Sequence, residues 1–311
     1  MPTIDLSTPP PPPDGLLDAL PRRAALTMPE LLLVAEAAGG APLPFEVAEP
    51  GDPTGGPGLE DRLGQSRGTV EDQTYRDVLG TLHDPRSSLR RRGLIVDGEV
   101  DEGLRGAVGL LATPHLALDI DVVADQVQAK AWHRQSGEAV ATLSTVDGLV
   151  FELAWFPTSS WPTELARVAV VPEDLSLHES GVPARVDLPY ELADAAAEAL
   201  RSSRADLVPV LAGRHPGAVH DGAGGELTEV ETQRALSALG AETRGRLRVL
   251  AADVSGPETS VVGVVSWVLV ADGWRALTPH RVDDQARVAV RRVEPGDLAA
   301  DLAPVLAEVS R

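Results

Sequence analysis

The residues in this 311-residue chain best suited to chemistry are few. His215, His220 and Asp221 fall close together in "HPGAVHDG", a set of side chains that could hold a metal ion. Metal sites take ligands from rigid elements at recognised spacings, and H-x4-H in a glycine-rich loop matches none of them. A solvated loop is the expectation there. Asp119 and Asp121 in "LALDIDVVAD" share one face of a strand. Paired carboxylates do acid–base work when burial drives their pKa values apart; acids alternating along a half-exposed strand face water instead. No G-x-S-x-G, Walker or dinucleotide fingerprint occurs, and "TGGPG" at 54–58 lacks the Lys-Ser/Thr ending of a phosphate loop. The chain has no cysteine, which removes disulfides, thiolate zinc sites and cysteine nucleophiles. The sequence therefore assigns no catalytic residue, no cofactor and no metal.

Recognition is better supported than catalysis. In "VQAKAWHRQ" (127–135) Gln128, Lys130, Trp132 and Arg134 alternate onto one strand face, which is expected to meet water. Aromatic and arginine side chains dominate binding hot spots. With Asp125 and Gln126 in the connector just before, these six are the predicted partner-binding residues. The competing reading of Trp132 is that a flanking helix covers it. Trp155 and Trp267 sit in dense apolar runs and are expected in the core. "LRRRGL" (89–94) reads as a solvated helix end, able to pair with an acidic partner or with the chain's own carboxylates.

Charge narrows the partners. The net charge is −20, from 27 basic and 47 acidic side chains, so phosphate backbones are repelled and nucleic-acid binding is not expected. The apolar stretches fall far short of the roughly 20 residues of a spanning helix, so no membrane insertion is expected. No charged-then-apolar leader opens the sequence. A soluble, cytoplasmic protein is the expectation, in keeping with the lack of cysteine.

The elements that position these residues follow from periodicity and turn chemistry. Residues 1–23, with "PPPPP" at 9–13, read as a disordered lead-in. "LTMPELLLVAEAAGG" starts a helix with a Thr27/Glu30 capping box and stops it at Gly39 or Gly40. "APLPFEV" (41–47) reads as a short strand, 49–58 as a loop, and 59–66 and 71–83 as helices. A short helix closes at Gly93, Asp97-Gly98 makes a turn, and an amphipathic helix runs from about Glu99 to Leu111. Strands are predicted at 116–123, 127–135, 139–145 and 149–156, with connectors short enough to force antiparallel neighbours. A helix near 161–169 follows.

The second half repeats this grammar. Helices are predicted at 189–201 and 204–212, then a polar loop at 213–225. A helix at 227–240 is capped by Thr228 and Glu231 and stopped by Gly240. Strands follow at 246–254, 260–270, 274–280 and 286–293, and Pro295 opens a last helix, 296–309. Asp147-Gly148 and Asp272-Gly273 each adjoin an apolar, tryptophan-bearing strand, and they read as corresponding turns in two copies of one unit. The predicted fold class is α+β, a pseudo-twofold duplicated unit with an N-terminal half over 24–171 and a C-terminal half over 187–311. These form a single domain over 24–311, with two independent domains linked near 172–186 as the alternative.

In this order of elements the sequence resembles the EspG family of type VII (ESX) secretion-associated proteins of actinobacteria. The resemblance is carried by "ALTMPELLLVAEAAGGAPLPFEV" (25–47), by "LRRRGLIVDGEVDEGLRGAVGLLATPHLALDI" (89–120) and by "GRLRVLAADV…GVVSWVLVADGWRAL…VEPGDLAADLAPVL" (245–306). It implies a central, mainly antiparallel β-sheet flanked by two helical bundles. It also implies a cytosolic chaperone without cofactor or catalysis, which binds the helical tip of a PPE-like cargo in a PE–PPE-type heterodimer, keeps it soluble and delivers it to the secretion machinery. The connector at 124–126 is tighter than the cargo-gripping loop of several members, and the loops at 49–58 and 213–225 are longer. The cargo is thus PE–PPE-like or another helical-hairpin substrate, and the chaperone a monomer or weak homodimer. A hydrolase-type enzyme with a non-local site and a self-associating structural subunit are the readings that compete with it.

Overall fold

Alternating apolar and polar residues produce four consecutive strands in the first half of the chain. In the computed structural model, which describes residues 21–45, 84–256 and 258–309, they are β4 (Leu116–Ala124), β5 (Val127–Ser136), β6 (Ala139–Thr145) and β7 (Val150–Pro157). The same pattern recurs as β10 (Gly245–Asp253), β11 (Ser260–Val270), β12 (Gly273–Val282) and β13 (Gln285–Val293). Three further strands, not among those expected from alternation, are shorter than the meander strands. They are β1 (Arg22–Thr27), β8 (Arg185–Pro189) and the two-residue β9 (His220–Asp221). Arg22 and Arg23 thus belong to a strand rather than to the lead-in.

Among the described residues these eleven strands form one sheet in the order β1-β7-β6-β5-β4-β10-β11-β12-β13-β8-β9. Its first five strands and the series β8-β13-β12-β11-β10 follow the same rule: one edge strand formed early, then a four-strand meander returning from it. This is the duplicated α+β plan expected from the sequence. The Asp-Gly turns are not its corresponding parts. Asp147-Gly148 lies between the third and fourth strands of the first meander, while Asp272-Gly273 lies where the second strand of the second meander meets the third. The position matching Asp147-Gly148 is held by Asp283-Asp284, whose φ angles are 47° and 65°. Such turns need left-handed backbone, which Gly, Asp and Asn all tolerate, so a shared dipeptide does not mark equivalence.

One compact unit comprises the described residues up to Pro114 with Arg134–Leu143 and Gly148–Ser160. In it β1 pairs antiparallel with β7, Leu26 opposite Phe151. Helix α1 (Met28–Ala37) starts at Thr27, whose N–H donates to the Glu30 carboxylate at 2.9 Å, and ends before Gly39 and Gly40, both with positive φ. Glu30 is buried, and Arg92, just past α2 (Pro85–Arg91), pairs with it at 3.2 Å. The "LRRRGL" run thus serves one of the chain's own carboxylates. Residues 41–45 form no strand. The rest of that expected strand, the loop at 49–58 and the two helices between 59 and 83 lie outside the described residues. The Asp97-Gly98 turn joins β2 (Ile95–Val96) to β3 (Glu99–Val100), with φ of 53° and 90°. Two residues assigned to a helix are used in that hairpin, so α3 (Glu102–Ala112) begins only after Asp101, which accepts the Leu104 N–H at 3.0 Å.

The second unit comprises His115–His133, Ser144–Asp147 and the chain from Trp161 onward. Its helices are α4 (Trp161–Val168), α5 (Tyr190–Arg201), α6 (Val208–Gly213), α7 (Glu229–Glu242) and α8 (Leu298–Val309). Thr228 and Glu231 cap α7 as expected, but Gly240 does not stop it. A Cβ at Gly240 would stand 2.2 Å from Leu200 Cδ1, so this glycine serves the close packing of α7 on α5. Helix α8 follows a short 3-10 turn, Pro295–Asp297.

Two outcomes follow. A Cβ at Gly245, the first residue of β10, would meet the Val123 carbonyl oxygen at 2.4 Å and Leu269 Cβ at 3.0 Å. The obstacle is backbone, so Gly245→Ala is expected to cost about 1–3 kcal/mol, read as a lower denaturation midpoint with unchanged slope. For Glu30, burial raises the pKa, but hydrogen bonds from Thr27 and Ser88 and the charge of Arg92 together hold it below its ordinary value. A depressed carboxylate contributes stability that is present above its unfolded pKa and lost as pH falls through the folded one. Glu30→Gln should therefore destabilise the protein at neutral pH, with the gap to wild type narrowing in acid, by urea melts over pH 3–7.

Candidate partner-binding face

The second unit's share of the sheet has two faces of different fate. On one, Leu118, Ile120 and Val122 of β4, Leu247, Val249 and Ala251 of β10, and Val265, Trp267 and Leu269 of β11 are all buried. Helix α8 closes over this side. Gly263 admits Val305 so tightly that a Cβ there would stand 2.8 Å away, and Trp267 Nε1–H donates to Asp301 at 3.0 Å. In β5 the buried His133 faces the same way, and its Nδ1 accepts the Trp161 indole N–H at 2.9 Å. His133 and Trp267 each stand three places before the last residue of their strand, so the two meanders anchor their closing helices at the same point by different chemistry.

The other face is open. Asp119 and Arg248 are exposed, as is Arg246, while Asp121, Val123, Leu250 and Ser266 are half-buried and Val264 keeps 40% of its surface. Cross-strand register orders them in rows. Asp121, Arg248, Ser266, Leu277, Val290 and Val186 are successive partners from β4 to β8. The row begins charged and wet and ends apolar and buried, because its far end packs under Leu192, Ala196, Val208 and Leu236 of α5, α6 and α7. The next row runs Val123, Arg246, Val268, Arg275, Arg292. There Arg275 is buried against Asp272 at 2.9 Å, and Asp272 also binds Arg292. Burial pushes the Arg275 pKa down, against the charge of Glu242. A polar cleft of about 560 Å³ opens beside this group, lined among others by His178, Ser180 and Pro183, and contains neither His215 nor His220.

The predicted partner-binding residues divide on this face. Asp125 and Gln126 are exposed at the tip of the β4–β5 hairpin, where Asp125 has φ 53°. The two-residue turn sets Lys130 level with Asp121. Gln128 and Lys130 are half-buried, and the Gln128 amide stands 3.5 Å from Asp121. Trp132 and Arg134 are only 6% and 8% exposed, so the expectation of a strand face in water fails at its far end. Alternation assigns a side chain to a face of the sheet; it does not say how far along the strand that face is covered. Arg246, Arg248 and Leu250 were missed as members of the face. The alternation in "RLRVL" was their signal, but the pairing of β10 with β4 joins segments over a hundred residues apart.

The remaining chemical candidates are structural parts. His220 and Asp221 form β9, on β8. His220 Nδ1 lies 3.1 Å from Arg287, and Asp221 accepts the N–H of Ala223 and of Gly225, each at 2.8 Å, which holds the glycine-rich turn together. His215 lies just past α6, its N–H bonded to Ala212 O at 3.0 Å. Among the described residues, no group of three or more His, Asp or Glu is placed to hold a metal.

No protein-family profile matches the sequence, and no curated protein does. Among solved structures, the chain is similar to the Mycobacterium tuberculosis type VII secretion system chaperone EspG5, determined in complex with the PE25-PPE41 dimer. The TM-score is 0.59 over 92% of this chain and 96% of that one, at 14% identity. The chain has the EspG fold. The resemblance noted from residue patterns thus extends to the fold.

Burial makes Trp132 a packing residue in the isolated chain. Trp132→Ala is expected to cost about 3–5 kcal/mol, whereas Arg248→Glu, at the surface, should stay within about 0.5 kcal/mol of wild type in the same urea melts.

Proposed function

We propose that this chain is a cytoplasmic chaperone of a type VII secretion system, holding the helical tip of a PE–PPE-like cargo and keeping it soluble for export. The observation that carries the reading is the EspG fold over 92% of the chain, shared with a chaperone whose structure contains a PE–PPE dimer. The open face of β4, β5, β10 and β11 is the surface offered to cargo. Asp125 and Gln126 are its rim, and Gln128 and Lys130 part of its floor, while Trp132 and Arg134 support that floor from within. A specific interface buries about 1,600 Å² in total, an area within reach of this face and the adjoining α5–α7 bundle. In this reading the chain is a monomer or weak homodimer before it meets cargo. It catalyses nothing, uses no cofactor and hands its cargo to the secretion machinery. No helix among the described residues is long and apolar enough to cross a membrane.

Co-expression tests it. With a PE–PPE-type pair from the same genome, the chaperone should carry the pair into the soluble fraction and co-elute with it as one complex on gel filtration. Pairs equally soluble alone, with no complex surviving the column, would sink the proposal.

A further inference from the structure

We infer that Lys130 and Arg248 select a cargo whose helical tip is acidic where it meets this face; the inference rests on the chaperone reading. The two side chains occupy one row, on either side of Asp121, about 9.6 Å apart at the usual strand spacing. Among the described residues neither makes an ion pair or a side-chain hydrogen bond. The chain carries 47 acidic groups against 27 basic ones, and Lys130 is its only lysine. Among the described residues, two cations without an internal partner thus stand on the open face of the second unit's sheet.

The surroundings define what they would take. Leu250 and Val264 lie in the row on one side, beside Asp119, and Val123 and Val268 lie in the row on the other, flanking Arg246. An apolar helix end can rest on the Leu250–Val264 pair, while the tip of a two-helix hairpin ends one helix in carbonyls without intrahelical partners and with partial negative charge. Lys130 and Arg248 complement that end, and an Asp or Glu in its last turn, which the dipole of its own helix disfavours, would gain a charged partner. A basic tip would meet these two like charges and Arg246 in the next row, offset by Asp121 between them and Asp119 on the other side. Charge arranged in this way acts on association rate and partner choice more than on final affinity.

The test uses the full chain and PE–PPE-type heterodimers of the same genome, each co-expressed with tagged wild type or with the Lys130→Glu/Arg248→Glu variant. Thermal melts first show that the variant is folded, as its two altered positions are not in the core. The association rate of each captured pair is then measured at low and high salt. Wild type is expected to capture a pair with an acidic tip and to associate with it about tenfold faster than the variant at low salt, the difference shrinking at high salt. Replacing the tip carboxylate by lysine should restore the variant's rate. Equal rates for wild type and variant, or a captured tip without acidic residues, would overturn this inference and leave the chaperone reading standing. Capture of no pair by either protein would overturn both.

Discussion

The antiparallel pairing of β4 with β10 is the constraint on which the rest of this structure depends. It runs without interruption from Leu116 opposite Asp253 to Ala124 opposite Gly245. It is the one point at which the two meanders meet in the strand order, so it converts two five-strand series into a single sheet. The pairing is close enough at its end to exclude any side chain at Gly245. Register is equally strict, since a slip of one residue would turn Asp119, Asp121, Arg246 and Arg248 into the side packed by α8 and expel Leu118, Ile120, Leu247 and Val249.

That register explains how a chain with a large excess of acid presents a mixed-charge face. Cross-strand neighbours share a face, so the acids of β4 and the arginines of β10 are brought side by side only when these strands pair. The row through Asp121 and Arg248 then passes under α5–α7, where leucine and valine replace charge. Charged and apolar residues thereby occupy different strands of the same face. Trp132 marks a similar boundary in β5, where Lys130 is partly in water and the tryptophan two places on is enclosed.

The closing helices show one mechanical requirement met twice with different residues. His133 accepts a hydrogen bond from Trp161, and Trp267 donates one to Asp301. In each case a buried polar atom would be costly without its partner. Position in the meander is preserved while donor and acceptor change places, which is why the duplication is clear in topology and faint in residue identity. The Asp-Gly turns show the converse, an identity of residues without equivalence of position.

The sequence by itself determined the eight meander strands to within a residue or two in most cases, the capped starts of α1 and α7, and the α+β plan. Each depends on neighbours a few positions apart: alternation, a cap and its reciprocal carboxylate, a left-handed turn. It also put Gln128 and Lys130 on one strand face, by alternation, and Asp125-Gln126 in the connector between two strands. Only the tertiary structure decided the strands β1, β8 and β9, the role of Gly240, the burial of Trp132 and the entry of Arg246 and Arg248 into the open face. Those features are set by which distant segment lies alongside, and a strand's own residues carry no record of how far its partner, or the helix above it, will cover them.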